Sequence, residues 1–319
     1  MKALITGITG FAGSHLADLL VSEGLEVYGT KRVRSPLDNL ESVKDRVRLL
    51  DCELTDASAV RTVIQQVKPQ LIFHLAAQSY VPTSWKYPGY TLFNNVGSEL
   101  NVFEAARILE LDARIHITGS SEEYGHVEEK ELPLTEESPL RPLSPYGVSK
   151  VAQDLLGYQY FRSYGLKIVR TRAFNHTGPR RGIVFATSNF AHQIAEIEAG
   201  RREPIVRVGN LSAKRDFSDV RDVARAYFLV ATRGTPGEVY NVCSGHAVTI
   251  GDMLNTLLAG ARVEVDVQED PDRLRPSDVM VLQGDGSKIQ RELGWEPTIP
   301  LQQSLADLLD YWRDRLETR

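Results

Sequence analysis

Short apolar runs alternate with amphipathic stretches along the first half of the chain. The runs stand at Lys2–Thr6, Glu26–Thr30, Val47–Leu50, Leu71–Leu75, Ile115–Thr118 and Lys167–Thr171, and their length and β-branched content predict buried strands. Between them, apolar positions recur at helical spacing over Ser14–Val21, Ala59–Val67, Leu100–Leu109 and Val148–Tyr164. Asp56, ahead of Ala-Ser-Ala-Val, is a candidate helix N-cap, and Gly24 follows the first helix as a C′ glycine would. Repeated strand, helix, strand crossovers predict an α/β fold with a Rossmann-type doubly wound parallel sheet.

From about Asn175 the rhythm loosens, with Gly178-Pro179, Gly182, Pro204, Gly209, Pro236-Gly237, Pro271, Pro276, Pro297 and Pro300 punctuating shorter elements. The expected organisation is a main domain over 1–174 and a smaller C-terminal α/β substrate-binding lobe over 175–319. The two are interleaved, with 214–243 returning to the main sheet, chiefly through Val220–Val230 and Val239–Cys243. No internal repeat interrupts this pattern.

Bulk properties narrow the partners. A chain of 319 residues, 42% hydrophobic, can fill a full core. With 37 Lys and Arg against 42 Asp and Glu, the net charge is -5, which speaks against a nucleic-acid partner. An anionic ligand then needs a local cluster of arginines. Cys52 and Cys243 stand far apart in strand-like surroundings and read as buried free thiols in a reducing compartment. The N-terminus breaks at once into glycines and Asp18, unlike a signal peptide, and no apolar run reaches membrane-spanning length. The expected address is the cytoplasm, with neither a membrane partner nor a metal site.

The candidate chemistry begins at Gly7-Ile8-Thr9-Gly10-Phe11-Ala12-Gly13, the first strand-to-helix turn. Glycines there allow a tight turn, close approach of a pyrophosphate and close packing of helix on strand. A lone glycine spacing is weak, but this one opens a series of crossovers. The end of the second strand lacks the acid that would hold a 2′-hydroxyl and carries Lys31, Arg32 and Arg34 instead, so NADP(H) is expected rather than NAD. Tyr146 and Lys150 lie four apart on the opening turn of a helix, where the ammonium would lower the phenol pKa and bond a nicotinamide ribose. Ser120 and Ser121 follow the fifth strand, placed to hydrogen-bond a carbonyl or hydroxyl oxygen. Arg180, Arg215 and Arg275, in Gly- and Pro-rich segments of an acidic protein, are candidates for a diphosphate clamp.

These residues together resemble the extended short-chain dehydrogenases/reductases over nearly the whole chain. The markers are Gly7, Gly10 and Gly13, His74-Leu75-Ala76-Ala77, Asn95-Val96 opening a helix, Ser120-Ser121-Glu122-Glu123-Tyr124-Gly125, and Tyr146 with Lys150. The resemblance implies cofactor contacts from Phe11, Ala12, Leu54, Leu75, Ala76 and Ala77. Glu53 stands where the family usually has an Asp touching adenine, and Ser98 and Glu99 replace the usual Gly and Thr.

Phe174-Asn175-His176-Thr177-Gly178-Pro179-Arg180-Arg181-Gly182, Gly209 to Phe217 and Leu274-Arg275-Pro276-Ser277-Asp278-Val279 look like the GDP-mannose branch. There Asn175, Arg215 and Arg275 would lie along the sugar and diphosphate of a GDP-hexose, and Asp278 would reach a ribose. The branch implies two activities. One is NADPH-dependent reduction of a 4-keto sugar, with Tyr146 giving the proton. The other is 4,6-dehydration with bound NADP, and Glu122 stands where that reaction needs a carboxylate. Gly-Ser-Ser-Glu-Glu-Tyr-Gly, Pro-Tyr-Gly-Val-Ser-Lys, Arg-Asp-Phe-Ser-Asp-Val-Arg-Asp and Tyr-Asn-Val-Cys-Ser-Gly resemble the reductases more closely. A homodimer is the family's usual assembly. A non-catalytic NADP sensor or scaffold is the alternative of another class, against which stands the retention of Ser120, Tyr146 and Lys150.

Overall fold

The apolar runs of the first half become parallel strands and the amphipathic stretches become the helices that cover them. The computed structural model describes residues 1–273 and 279–317. Its first half runs β1 (Lys2–Thr6), α1 (Phe11–Ser22), β2 (Glu26–Lys31), β3 (Val47–Asp51), α2 (Ala57–Val67), β4 (Leu71–His74), α3 (Val81–Lys86), α4 (Pro88–Ile108), β5 (Arg114–Ser120), α5 (Pro145–Tyr164) and β6 (Lys167–Ala173). The second half adds β7 (Asn175–Thr177), α6 (Ala186–Glu198), β8 (Ile205–Val208), β9 (Lys214–Asp219), α7 (Val220–Arg233), β10 (Val239–Val242), β11 (Ala247–Thr249), α8 (Ile250–Ala259), β12 (Asp266–Glu269), β13 (Val281–Leu282), α9 (Ser287–Leu293) and α10 (Leu301–Glu317).

Seven strands pair in parallel in the order β10-β6-β5-β4-β1-β2-β3. The order reverses between β1 and β4, the switch point at which a doubly wound sheet opens a crevice beyond its strand ends. Alternate residues of each strand feed opposite layers. Leu4, Ile72 and Ile115 pack with Val63, Val102 and Phe103 on one face. Ala3, Ile5 and Phe73 pack with Leu16, Leu20 and Ala224 on the other. Asp56 caps α2 by accepting from the amides of Ser58 (2.8 Å) and Ala59 (3.2 Å), and Gly24 turns the chain out of α1 at φ +76°.

Two elements depart from the sequence reading. Residues 214–219, expected to return to the main sheet, form β9 at the centre of a small sheet with β7, β11 and β13. Phe217 packs there against Phe190, Met253 and Leu305 of the lobe core; the return begins only at α7 and β10. The helix expected from Asn95 and Leu100 starts at Pro88, and Asn95 lies in its middle. Over its first half the buried residues are Thr91, Asn95, Ser98 and Glu99 while Phe93 is 67% exposed, so hydrophobic periodicity is inverted there and gives no helical signal. No helix among the described residues is long and apolar enough to cross a membrane.

Candidate active site

At the carboxyl ends of the main strands, facing the small lobe, lies a cleft of about 1060 Å³. Its floor is the turn from β1 into α1. Gly7 sits at φ +71°, and a Cβ on Gly13 would fall 2.3 Å from the Gly7 carbonyl oxygen, so the helix can approach the strand only without a side chain there. Gly10 is the N-cap of α1 and supplies no side-chain acceptor. The first amides of the helix are thus left for an anion, which fits a dinucleotide pyrophosphate.

The cleft is lined by Gly7, Gly10, Phe11, Ala12, Gly13, Lys31, Arg32, Glu53, Leu54, Leu75, Ala76 and Ala77 on the sheet side. At its base the Lys31 ammonium pairs with Asp51 at the end of the neighbouring strand, whereas Arg32 makes no ion pair among the described residues. Glu53 accepts from the Thr55 hydroxyl at 3.1 Å. Arg34 lies outside the cleft lining.

Ser120, Ser121, Glu122, Tyr146 and Lys150 converge on the same cleft from the end of β5 and the start of α5. Ser144 caps α5 by accepting from the Gly147 amide at 3.0 Å, which fixes the turn carrying Tyr146. The Ser120 backbone amide donates to Glu123 at 2.7 Å, and its hydroxyl accepts from the Glu122 amide at 3.2 Å. That hydroxyl and the Tyr146 phenol line the cleft together, and Ser120 favours the ionised phenol. Glu123 is held in turn by Arg172, which pairs with Asp154 of α5 in a buried network.

Lys150 donates to the Thr118 carbonyl at 2.7 Å and lies 6.0 Å from the Tyr146 ring centroid. The sequence reading gave this ammonium the role of lowering the phenol pKa. In the structure burial dominates and pushes the phenol up, opposed mainly by Ser120.

The arginines sort differently from the expectation. Arg180, in a left-handed conformation at φ +71°, turns away from the cleft and donates to Asp18 of α1 at 2.7 Å. Its neighbour Arg181 takes the place in the cleft instead, because Gly178 and Arg180 turn the backbone so that the two side chains diverge. The Arg181 guanidinium lies 3.5 Å from the Phe185 ring centroid and 4.8 Å from that of Phe11. It makes no ion pair among the described residues, and burial pulls its pKa down to about 10.

Asn175, at the start of β7, and Arg215, buried on β9, both line the cleft. Arg275 and Asp278 lie outside the described residues. Beyond Arg181, sequence reasoning missed Tyr80, Asn94, His176, Asn189 and Arg273 on the cleft wall. The His176 ring stacks on Phe11 with centroids 5.7 Å apart, and burial lowers its pKa to about 4. His176 and Arg181 had a signal, lying in the Phe174–Gly182 segment, and Asn94 had a weaker one as the neighbour of Asn95.

Comparison with known proteins gives the same picture. The family described as GDP-mannose 4,6 dehydratase matches residues 4–308. The GDP-6-deoxy-D-mannose reductase of Pseudomonas aeruginosa is 33% identical over 315 residues, covering 99% of this chain and 98% of that protein. The GDP-mannose 4,6-dehydratase of Yersinia enterocolitica is 31% identical over 348 aligned positions, covering 97% and 92%. The solved structure of RMD from Pseudomonas aeruginosa complexed with NADPH superposes with a TM-score of 0.85 and 30% identity, over 98% of this chain and 99% of that one. Such proteins are NAD(P)-dependent enzymes of nucleotide-sugar modification. With its sheet order, its cleft and its relatives in agreement, the chain belongs to the GDP-mannose 4,6-dehydratase family of extended short-chain dehydrogenases/reductases.

Proposed function

We propose that the chain reduces the 4-keto group of GDP-4-dehydro-6-deoxy-D-mannose to give GDP-D-rhamnose, with NADPH. The Tyr146 phenol carries this reading. It lines the cleft beside Ser120 and Lys150, and burial pushes its pKa up, so the phenol holds a proton it can give to a developing alkoxide. NADPH, when bound, supplies the hydride. Ser120 orients the carbonyl oxygen and Tyr146 delivers its proton to that oxygen as the alcohol forms.

Lys150 holds the nicotinamide ribose, and the amides opening α1, with Gly7, Gly10, Phe11, Ala12 and Gly13, hold the pyrophosphate. Arg32, assisted by Lys31, meets the 2′-phosphate, while Glu53, Leu54, Leu75, Ala76 and Ala77 line the nucleoside side. Ser121, Asn175, Arg181 and Arg215, with Arg275 and Asp278, take the sugar diphosphate and its ribose. Support also comes from alignment length. The match to the reductase spans 315 positions, whereas that to the dehydratase runs to 348, more than the 319 residues of the chain, so the dehydratase has insertions that this chain lacks.

Glu122 favours the second reading, 4,6-dehydration of GDP-mannose with retained NADP. Its carboxylate lines the cleft and acts on the Tyr146 phenol, where it could remove a C5 proton. The two are separated by incubating the protein with GDP-mannose and, separately, with the 4-keto-6-deoxy sugar nucleotide plus NADPH. Net NADPH consumption with the keto sugar, lost in Tyr146→Phe, supports the reductase. Conversion of GDP-mannose without net consumption supports the dehydratase, and inertness in both sinks both. The same reading includes a homodimer, since Phe93, Val148, Leu155 and Tyr158 stand exposed on α4 and α5, and the cytoplasm, since Cys52 and Cys243 are free thiols.

A further inference from the structure

The turn that carries Ser120 is fastened to α5 at two points, one beside Tyr146 and one further along the helix. Beside Tyr146, a Cβ on Gly147 would fall 2.7 Å from the Glu122 carbonyl oxygen, so the turn lies against the helix backbone itself. The second point is Glu123. Its Oε1 accepts from the Ser120 amide at 2.7 Å, and its Oε2 lies 3.2 Å from Arg172 Nε on β6. The same Nε donates to Asp154 Oδ2 at 2.7 Å, about one helical turn beyond Lys150 and two beyond Tyr146.

Glu123 is 0% exposed and stands behind the cleft wall, with access to neither sugar nor cofactor. Gly119 makes room for its carboxyl: a Cβ there would meet Glu123 Oε1 at 2.4 Å, as well as the Thr171 carbonyl oxygen at 2.6 Å. The bond to the amide needs no charge. Burial pushes the Glu123 carboxyl well up and Asp154 adds to this, while Arg172 and the Ser120 amide oppose it; the carbonyl oxygen of a protonated carboxyl still accepts from an N–H.

We propose that Glu123 is a positioning residue: by accepting from the Ser120 amide and meeting Arg172, it sets the Ser120 hydroxyl against Tyr146 and Lys150 of α5. The inference rests on the roles given to Ser120 and Tyr146 above.

The test compares Glu123→Gln, which keeps the length and the carbonyl acceptor, with Glu123→Asp, which keeps the acid but is one methylene too short to reach the amide. Three quantities are read: turnover on the sugar nucleotide that the wild type converts, NADPH affinity by fluorescence without sugar, and hydrogen exchange of the Ser120 amide without ligand. E123Q is expected to keep kcat within about threefold and the amide protected. E123D should lower kcat by about tenfold or more, as small misplacements of reacting groups do, with NADPH affinity within about twofold of wild type and faster exchange at Ser120. A kcat in E123D within about threefold of wild type overturns the proposal. So does the reverse order, with E123Q the weaker, the mark of a mere charge partner for Arg172, and so does NADPH affinity lost in step with kcat, the mark of a damaged fold. Should E123D not fold, Glu123→Met, of similar length but without an acceptor, takes its place under the same criteria. If the wild type converts neither sugar nucleotide, the proposed reaction fails, and exchange alone decides for Glu123: a Ser120 amide no better protected in wild type and E123Q than in E123D overturns its role.

Discussion

Replacing Arg181 by Met separates what this side chain does for the fold from what it does for a ligand. Its pKa falls from 12.5 to about 10 through burial, a drop of about 2.5 units. At about 1.4 kcal/mol per pH unit, this corresponds to roughly 3.5 kcal/mol of charge solvation lost through burial. The Phe11 and Phe185 faces return about 1–2 kcal/mol each. The two effects nearly cancel, and a methionine keeps much of the ring contact, so the stability of the ligand-free protein in urea should change by no more than about 1 kcal/mol.

Ligand binding should change far more. A guanidinium bonded to a phosphate oxygen contributes about 1.5–3 kcal/mol, which is roughly a 10- to 150-fold weakening on removal. Titrations of NADPH and of GDP show which diphosphate it meets. If both ligands bind R181M within about twofold of wild type, the guanidinium is no anion contact and the reasoning fails; a loss of more than about 3 kcal/mol in urea without ligand would refute the balance between burial and ring contacts.

Arg32→Ala should weaken NADPH by about tenfold or more and NADH hardly at all, while Asp51→Asn, which frees Lys31 from its ion pair, should tighten NADPH; equal losses for both cofactors in R32A would place the 2′-phosphate elsewhere. Asp222→Asn should cost about 2–4 kcal/mol in urea, because the carboxylate accepts from the Thr298 and Ile299 amides, both at 2.8 Å, and pairs with Arg225; a cost below about 1 kcal/mol would show that the Trp295–Ile299 segment docks without it. Buried His15 and His176 are held near pKa 4, and His74 and His116 near 3, all below the usual 6.5. The unfolded chain takes up these protons first, so their contribution is whole above about pH 6.5 and drains away as pH falls, toward 4 for His15 and His176 and toward 3 for His74 and His116, at up to about 1.4 kcal/mol per pH unit for each ring. Urea unfolding at pH 7 and pH 5 should show the protein less stable at pH 5, and an unchanged midpoint would contradict the burial of these rings.

The parallel sheet was legible because its strands are buried on both faces and announce themselves as apolar runs. The glycine turn and the Tyr146–Lys150 pair were legible because their chemistry is local, a few residues apart on one element. What escaped detection depends on direction or on neighbours far along the chain. Paired arginines do not reveal which of them faces inward, since that follows from the backbone turn at Gly178 and Arg180. The first half of α4 was missed because its inner face is polar, matched to Ser149 and Gln153 of α5, and a reading based on hydrophobicity is blind to a polar interior. Residues 214–219 carry one apolar side chain, Phe217, among five polar ones, yet all but Lys214 are buried, so nothing local marks them as a strand or says which sheet receives them.

The return of α7 and β10 to the main sheet means that the lobe is not a detachable cassette. A fragment ending at residue 174 would lack both, baring the layer where Val169 and Ala173 pack on Val223, Tyr227 and Val242. No single cut frees one half from the other. Exchange of the lobe between relatives as one contiguous piece is therefore closed to this architecture; any graft must carry α7 and β10 with it or cross the seam between the two sides more than once.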